Sequence, residues 1–245
     1  MKKIASLQHP YIKHLVRLRK EREFRYQERA VVISGLKLIR ELASRFPFRS
    51  VLIEEGFKLN FEVKTENLYA GTLSMIKKIS GVEQPEPILA EIAMPQEEDL
   101  SNANFLLVLD GISDPGNLGT LFRTACGLGW DGVFLTPTST DPFNDKAIRA
   151  GQGATFKIPW KKGTHEELKD LLKKENIKLF VADAQGKDLS TFSFSPPLAL
   201  VLGNESHGIA PALKKNAEII AIRMQGTVES LNVASAGAIL MHGMR

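Results

Sequence analysis

Five short runs of uninterrupted apolar residues constrain this chain more than any other feature. They are Phe105-Leu106-Leu107-Val108-Leu109, Val133-Phe134-Leu135, Leu179-Phe180-Val181, Leu198-Ala199-Leu200-Val201-Leu202 and Ile219-Ile220-Ala221-Ile222. A strand with one wet face alternates apolar with polar residues. A strand that does not alternate has both faces covered, as in a parallel sheet flanked by helices. Helical patterns lie between several runs, notably Glu166 to Lys174, and a helix from about Leu118 to Leu128 after a turn at Asp114-Pro115-Gly116. The second half therefore reads as a mostly parallel α/β sheet, with ligands at the C-terminal ends of its strands.

The first 94 residues form a second, smaller α/β pattern. Residues 12–28 are helix-like, with Ile12, Leu15, Val16 and Leu18 on one side. Val31-Val32-Ile33 is a strand, and an amphipathic helix runs from Gly35 through Ser44. Strands at Val51-Leu52-Ile53 and Leu68-Tyr69-Ala70 precede a helix containing Leu73 to Ile76. Gln84-Pro85-Glu86-Pro87 breaks the pattern before a last strand, Ile88 to Ile92. The polar, acidic stretch 95–104 reads as a linker. The expected organisation is a domain over 1–94, a linker over 95–104 and a domain over 105–245, which suits a 245-residue chain.

Composition excludes several classes. With 43% hydrophobic and 24% charged residues, the chain is not disordered, collagen-like or coiled-coil. No apolar run approaches the roughly 20 residues of a membrane span, and no apolar stretch follows the basic N-terminus as in a secretory signal. The single cysteine, Cys126, forms no internal disulfide, and its neighbours read as a helix face, so a buried structural thiol in a cytoplasmic protein is expected. The histidines at 9, 14, 165, 207 and 242 make no metal spacing with it, so no metal site is expected.

Charge is unevenly placed. Residues 1–50 hold thirteen Lys/Arg against four Asp/Glu, whereas the whole chain carries only +4. A basic first domain on a slightly acidic body suggests a polyanion contact. Glu21, Glu23 and Glu28 interleave with the cations, as on an ordinary solvated helix face. Tyr11, Phe24 and Tyr26 suit base stacking or core anchoring equally.

Gly127-Leu128-Gly129-Trp130-Asp131-Gly132 matches the dinucleotide fingerprint, but it ends a helix and enters a strand, so it reads as a helix cap and turn. Three other junctions are unusual. In Asn117-Leu118-Gly119-Thr120-Leu121-Phe122-Arg123, small residues let backbone approach a ligand, and Arg123 offers a planar fork for phosphate. Asn117 as a helix N-cap is the plainer reading. Leu202-Gly203-Asn204-Glu205 puts a carboxylate just past a buried strand. In the third, Met224 to Ala236, Ser230 or Glu229 caps the final helix on the plainer reading, which leaves Gly226, Ser230 and Asn232 together unexplained.

Taken in order, these three segments, with Ser230-Leu231-Asn232-Val233 as the last, resemble the motifs of the SpoU (TrmH) family of SPOUT RNA 2′-O-ribose methyltransferases. Asp141 to Lys146 and Arg149-Ala150-Gly151 also look like that family's loop and helix after the second strand of the catalytic domain. Arg223 stands where proline is usual, Ser206 where glycine is usual, and the C-terminus lacks the customary aromatic and glutamate. The resemblance implies a C-terminal trefoil knot, S-adenosylmethionine as cofactor and a homodimer. It implies an N-terminal domain related to RNA-binding ribosomal proteins. Arg123, Asn117, Ser230, Glu205 and Asn232 are the implied catalytic residues. Gly203, Ile222, Leu231, Leu202, Thr136 and Met224 are the implied cofactor residues.

The expected function is transfer of methyl to a ribose 2′-hydroxyl, with ribosomal RNA as substrate. Transfer RNA and a non-catalytic RNA-binding assembly factor are the alternatives. The apolar C-terminal helix, with Val233, Ile239, Leu240 and Met241, is the expected dimer contact.

Overall fold

The apolar runs become five of the six strands of a sheet in which every strand is parallel to its neighbours. The computed structural model describes residues 1–226 and 230–245, so Glu229 lies outside the described residues. Its strands are β6 (Phe105–Asp110), β7 (Gly132–Leu135), β8 (Trp160–Lys162), β9 (Lys178–Asp188), β10 (Leu198–Gly203) and β11 (Glu218–Ala221), in the order β11-β9-β10-β6-β7-β8. Leu106 to Leu109 and Leu198 to Leu202 are buried throughout, which is why these segments do not alternate. On one face Leu106, Val108, Ala199 and Val201 join Phe134 and Leu168 in a core. Helices α5 (Pro115–Gly127), α6 (Asp145–Gly151), α7 (His165–Lys174), α8 (Pro211–Lys214) and α9 (Val233–Gly243) connect and cover the strands.

A separate five-stranded mixed sheet forms the other unit. Its order is β1-β4-β3-β5-β2, with β1 (Lys2–Lys3), β2 (Ala30–Ser34), β3 (Phe48–Glu54), β4 (Leu68–Gly71) and β5 (Ile88–Ala93). Helices α1 (Pro10–Lys20), α2 (Arg22–Glu28), α3 (Leu36–Ala43) and α4 (Leu73–Ser80) belong with it. One unit comprises Met1–Pro95 with Phe143–Asp145, and the other comprises Gln96–Pro142 with Lys146–Arg245.

Several expectations need correction. The stretch expected to be a linker packs with the second unit: Leu100 and Ala103 are buried in that unit's core, and Glu98 N–H donates to the Trp160 carbonyl at 2.9 Å. The helix expected over 12–28 is two helices. Glu21 leaves helical geometry at φ −105°, and the buried Arg25 guanidinium turns back to donate to the Leu18 and Arg19 carbonyls at 3.0 and 2.9 Å, closing the end of α1. Tyr11 is a core residue, stacked on Tyr69 at 4.2 Å and donating to Ser50 at 2.8 Å, whereas Tyr26 stays exposed. Cys126 is a free thiol that is half-buried rather than buried. The C-terminal helix turns Leu240 and Met241 into its own unit and leaves Ile239 exposed.

Candidate active site

The three sequence segments converge at the C-terminal end of the parallel sheet, and side-chain chemistry explains how. Proline is preorganised for the first helical position, and Asp114 caps α5 by accepting the Asn117 N–H at 2.8 Å. Lys146 holds the other Asp114 oxygen at 2.6 Å. That ion pair, then the Asn117 N–H, holds the Asp114 carboxyl below its ordinary pKa. Asn117 is therefore not the cap, and its side chain is free to reach outward. It donates to Glu205 Oε1 at 2.6 Å and accepts from Asn232 Nδ2 at 3.0 Å. Asn232, not Ser230, caps α9, accepting from the Ala234 and Ser235 N–H groups at 2.9 and 3.3 Å. One chain of hydrogen bonds thus joins a residue from each segment.

The loop after β10 is held from below. Asn204 Nδ2 donates to the Gly111 carbonyl at 2.8 Å, and its Oδ1 accepts the Ser206 and His207 N–H groups. Asp110, buried at the end of β6, accepts the Ala210 N–H at 2.9 Å and bonds His165 Nε2 at 2.8 Å. The loop closes so tightly that a Cβ on Gly203 would stand 2.3 Å from Ile209 Cγ1 and 2.7 Å from the Gly208 backbone. Gly203 is glycine because its own loop lies against it.

Beside this loop is a cavity of about 340 Å³, within the range of small-molecule sites. Leu202, Gly203, Glu205, Ile222, Met224, Ser230 and Leu231 line it. Asp183, Ile209, Val233, Ala236 and Leu240, none of them among the implied cofactor or catalytic residues, line it too. For Asp183 there was a signal: it lies just past the apolar run Leu179 to Val181, where a parallel strand delivers side chains to a site. Met224 and Leu231 keep 39% and 37% of their surface exposed. Apolar walls at the mouth of a concave site suit an aromatic or aliphatic ligand.

Two expected residues stand apart. Thr136 does not line the cavity. It is fully buried, and its hydroxyl accepts the Gly111 N–H at 3.0 Å. Arg123 lies six residues beyond Asn117, which places it about 9 Å further along α5 and about 240° round the helix. It is exposed. Gly119, between them, does not approach a ligand. Its Cβ would meet the Ala147 carbonyl oxygen at 2.2 Å, so it permits the crossing of α5 over α6. Among the described residues, no group of three or more His, Cys, Asp or Glu side chains is placed to hold a metal.

Comparison with known proteins reaches the same region. Residues 104–242 match the model of the SpoU rRNA Methylase family. The chain is 32% identical over 249 residues to the 23S rRNA (guanosine(2553)-2′-O)-methyltransferase of Bacillus subtilis, covering 100% of both chains. A putative RNA methyltransferase of the TrmH family from Porphyromonas gingivalis superposes with a TM-score of 0.83 at 30% identity, covering 98% of this chain and 99% of that one. The AdoMet-bound rRNA methyltransferase of Sinorhizobium meliloti shares the fold, with a TM-score of 0.88 at 24% identity over 100% of this chain and 97% of that one.

Proposed function

The chain belongs to the SpoU rRNA methylase family, and from that membership we propose that it transfers methyl from S-adenosylmethionine to a ribose 2′-hydroxyl of ribosomal RNA. The observation that carries the reading is the Glu205–Asn117–Asn232 chain joined, through Glu205, to a cavity of about 340 Å³. The cavity fits the cofactor: apolar side chains from β10, the segment after β11 and α9 suit adenine, and the Glu205 carboxylate suits a ligand bearing positive charge. Leu202, Gly203, Ile222, Met224 and Leu231 would hold it. When bound, S-adenosylmethionine supplies an electrophilic methyl on a sulfonium.

The chain's own residues bind and orient the acceptor. Ser230 and Asn117 position the ribose, and Glu205 and Asn232 fix the loops around it. Arg123 faces the RNA as a cation. A guanidinium is a permanent cation in proteins, with five donors in a planar fork. Its role is to grip the phosphate beside the target ribose and stabilise charge developing on the hydroxyl oxygen.

The rest of the reading is architectural. Residues 1–94 bind RNA. The segment after β11 threads back through a loop as a trefoil knot. The return of α9 from the sheet edge to pack Gly237 against Leu121 and Leu202 supports this. The protein works as a homodimer in the cytoplasm.

The test is methyl transfer to rRNA transcripts. Arg123→Ala and Arg123→Lys should each lose about 10²-fold or more, the scale of one preorganised stabiliser. Lysine should not rescue, because the fork is lost. Affinity for S-adenosylhomocysteine should not change. Substantial turnover by Arg123→Ala at neutral pH sinks the assignment of this residue. Mapping 2′-O-methyl groups on rRNA and tRNA from a deletion strain tests the substrate.

A further inference from the structure

The cavity holds a second carboxylate that the methyl-transfer machinery does not use. Strand β9 leaves register with β11 between Ile219, which pairs with Val181, and Ile220, which pairs with Lys187. Residues 182–186 are thrown out of the ladder, as bulges next to sites do when they re-aim a side chain. Gly186 allows the return, since a Cβ there would meet the Ile220 backbone at 2.6 Å. The bulge sets Asp183 in the cavity wall with a quarter of its side-chain surface open.

Among the described residues, each carboxylate oxygen has one protein donor. Lys214 Nζ lies 2.6 Å from Oδ2, and the Gln185 N–H lies 2.9 Å from Oδ1. Those two donors hold the Asp183 carboxyl below its ordinary pKa, the lysine foremost. An ionised carboxylate has about four acceptor positions, so each oxygen keeps one free. Two neighbouring acceptors a carboxylate-width apart match two neighbouring hydroxyls. The Lys214 ammonium already neutralises the charge and repels a second cation, which disfavours an α-ammonium group there. Glu205, the other carboxylate of the wall, is occupied by Asn117.

Resting on the methyltransferase reading, we propose that Asp183 is the residue that selects a ribonucleoside ligand, by accepting hydrogen bonds from both hydroxyls of the cofactor's own ribose. Lys214 positions it.

Titration calorimetry on the full chain tests this without turnover. The probes are S-adenosylhomocysteine, 5′-methylthioadenosine, which lacks the amino-acid arm, and the 2′-deoxy and 3′-deoxy forms of methylthioadenosine. Wild type should lose about 10- to 100-fold for each deoxy probe, the range of a hydrogen bond to a charged acceptor. Asp183→Asn should weaken S-adenosylhomocysteine and methylthioadenosine by the same factor and lose its discrimination against the deoxy probes. Equal affinity of wild type for the ribo and deoxy probes overturns the proposal, and that arm needs no variant to fold. So does an Asp183→Asn loss confined to S-adenosylhomocysteine, which would put the carboxylate on the amino-acid arm. Failure of wild type to bind S-adenosylhomocysteine at all would instead remove the parent reading.

Discussion

A buried relay in the first unit shows how single residues set a pH response away from the candidate site. Tyr11 donates to Ser50, Ser50 donates to Glu91 Oε2 at 3.0 Å, and His14 Nε2 lies 3.2 Å from Glu91 Oε1. Burial pushes the Tyr11 hydroxyl pKa up. Burial also acts to raise the Glu91 pKa, but hydrogen bonds from His14 and Ser50 and the nearby Arg49 outweigh it and leave the carboxyl below its ordinary value. The bond to Glu91 holds the His14 pKa above its ordinary value, against the opposing effect of desolvation. The signs fix a window. The histidine's contribution is complete below its unfolded value of 6.5 and fades as pH rises through the folded one. The glutamate's is complete above 4.5 and is lost as pH falls. Wild type should therefore out-melt Glu91→Gln by most near about pH 5.5, with the gap narrowing by about pH 8.5. A gap independent of pH across that range would show that the His14–Glu91 pair is not coupled to folding.

At the scale of elements, close helix crossings explain residues whose motif role looked chemical. Gly119 lies in the first motif, yet its α-carbon faces the backbone of α6, where a side chain would meet the Ala147 oxygen. Gly119→Ala should cost about 3 kcal/mol, the upper range for overpacking a dense contact, read as a lowered denaturant midpoint. A midpoint within error of wild type would mean that α5 and α6 slide apart freely. The same contrast marks what the sequence made legible. Unbroken apolar runs announced β6, β7, β9, β10 and β11, and in β6 and β10 burial on both faces leaves no other pattern. Residue spacing could not announce the break at Glu21, which has no glycine or proline and depends on Arg25 folding back. Nor could it announce β8, three residues long, or the burial of Leu100 within an acidic stretch. Asn117, Glu205 and Asn232 were legible through ordered motifs. The bulge that delivers Asp183 was not, because register is a property of two strands.

For the whole molecule, the question is how much of the basic excess in residues 1–50 is available to RNA. Part of it is committed internally. Arg25 is buried on α1 carbonyls, Arg49 donates to the Glu28 and Arg29 carbonyls, and Arg17 pairs with Glu21. Three basic residues in the last turn of α1 also suit the negative end of the helix dipole. Lys13, Lys20 and Arg22 are among the exposed cations that remain, with Arg22 over the ring of the exposed Tyr26. If these cations grip phosphate, each releases counterions, and affinity should fall with salt by about 0.7–0.9 logarithmic units per contact. Replacing all three with alanine should flatten the salt dependence of rRNA binding by a slope of about 2–3. Affinity for S-adenosylhomocysteine should stay at the wild-type value, since none of the three lines the cavity. An unchanged slope would return these three side chains to the role of solvated helix surface.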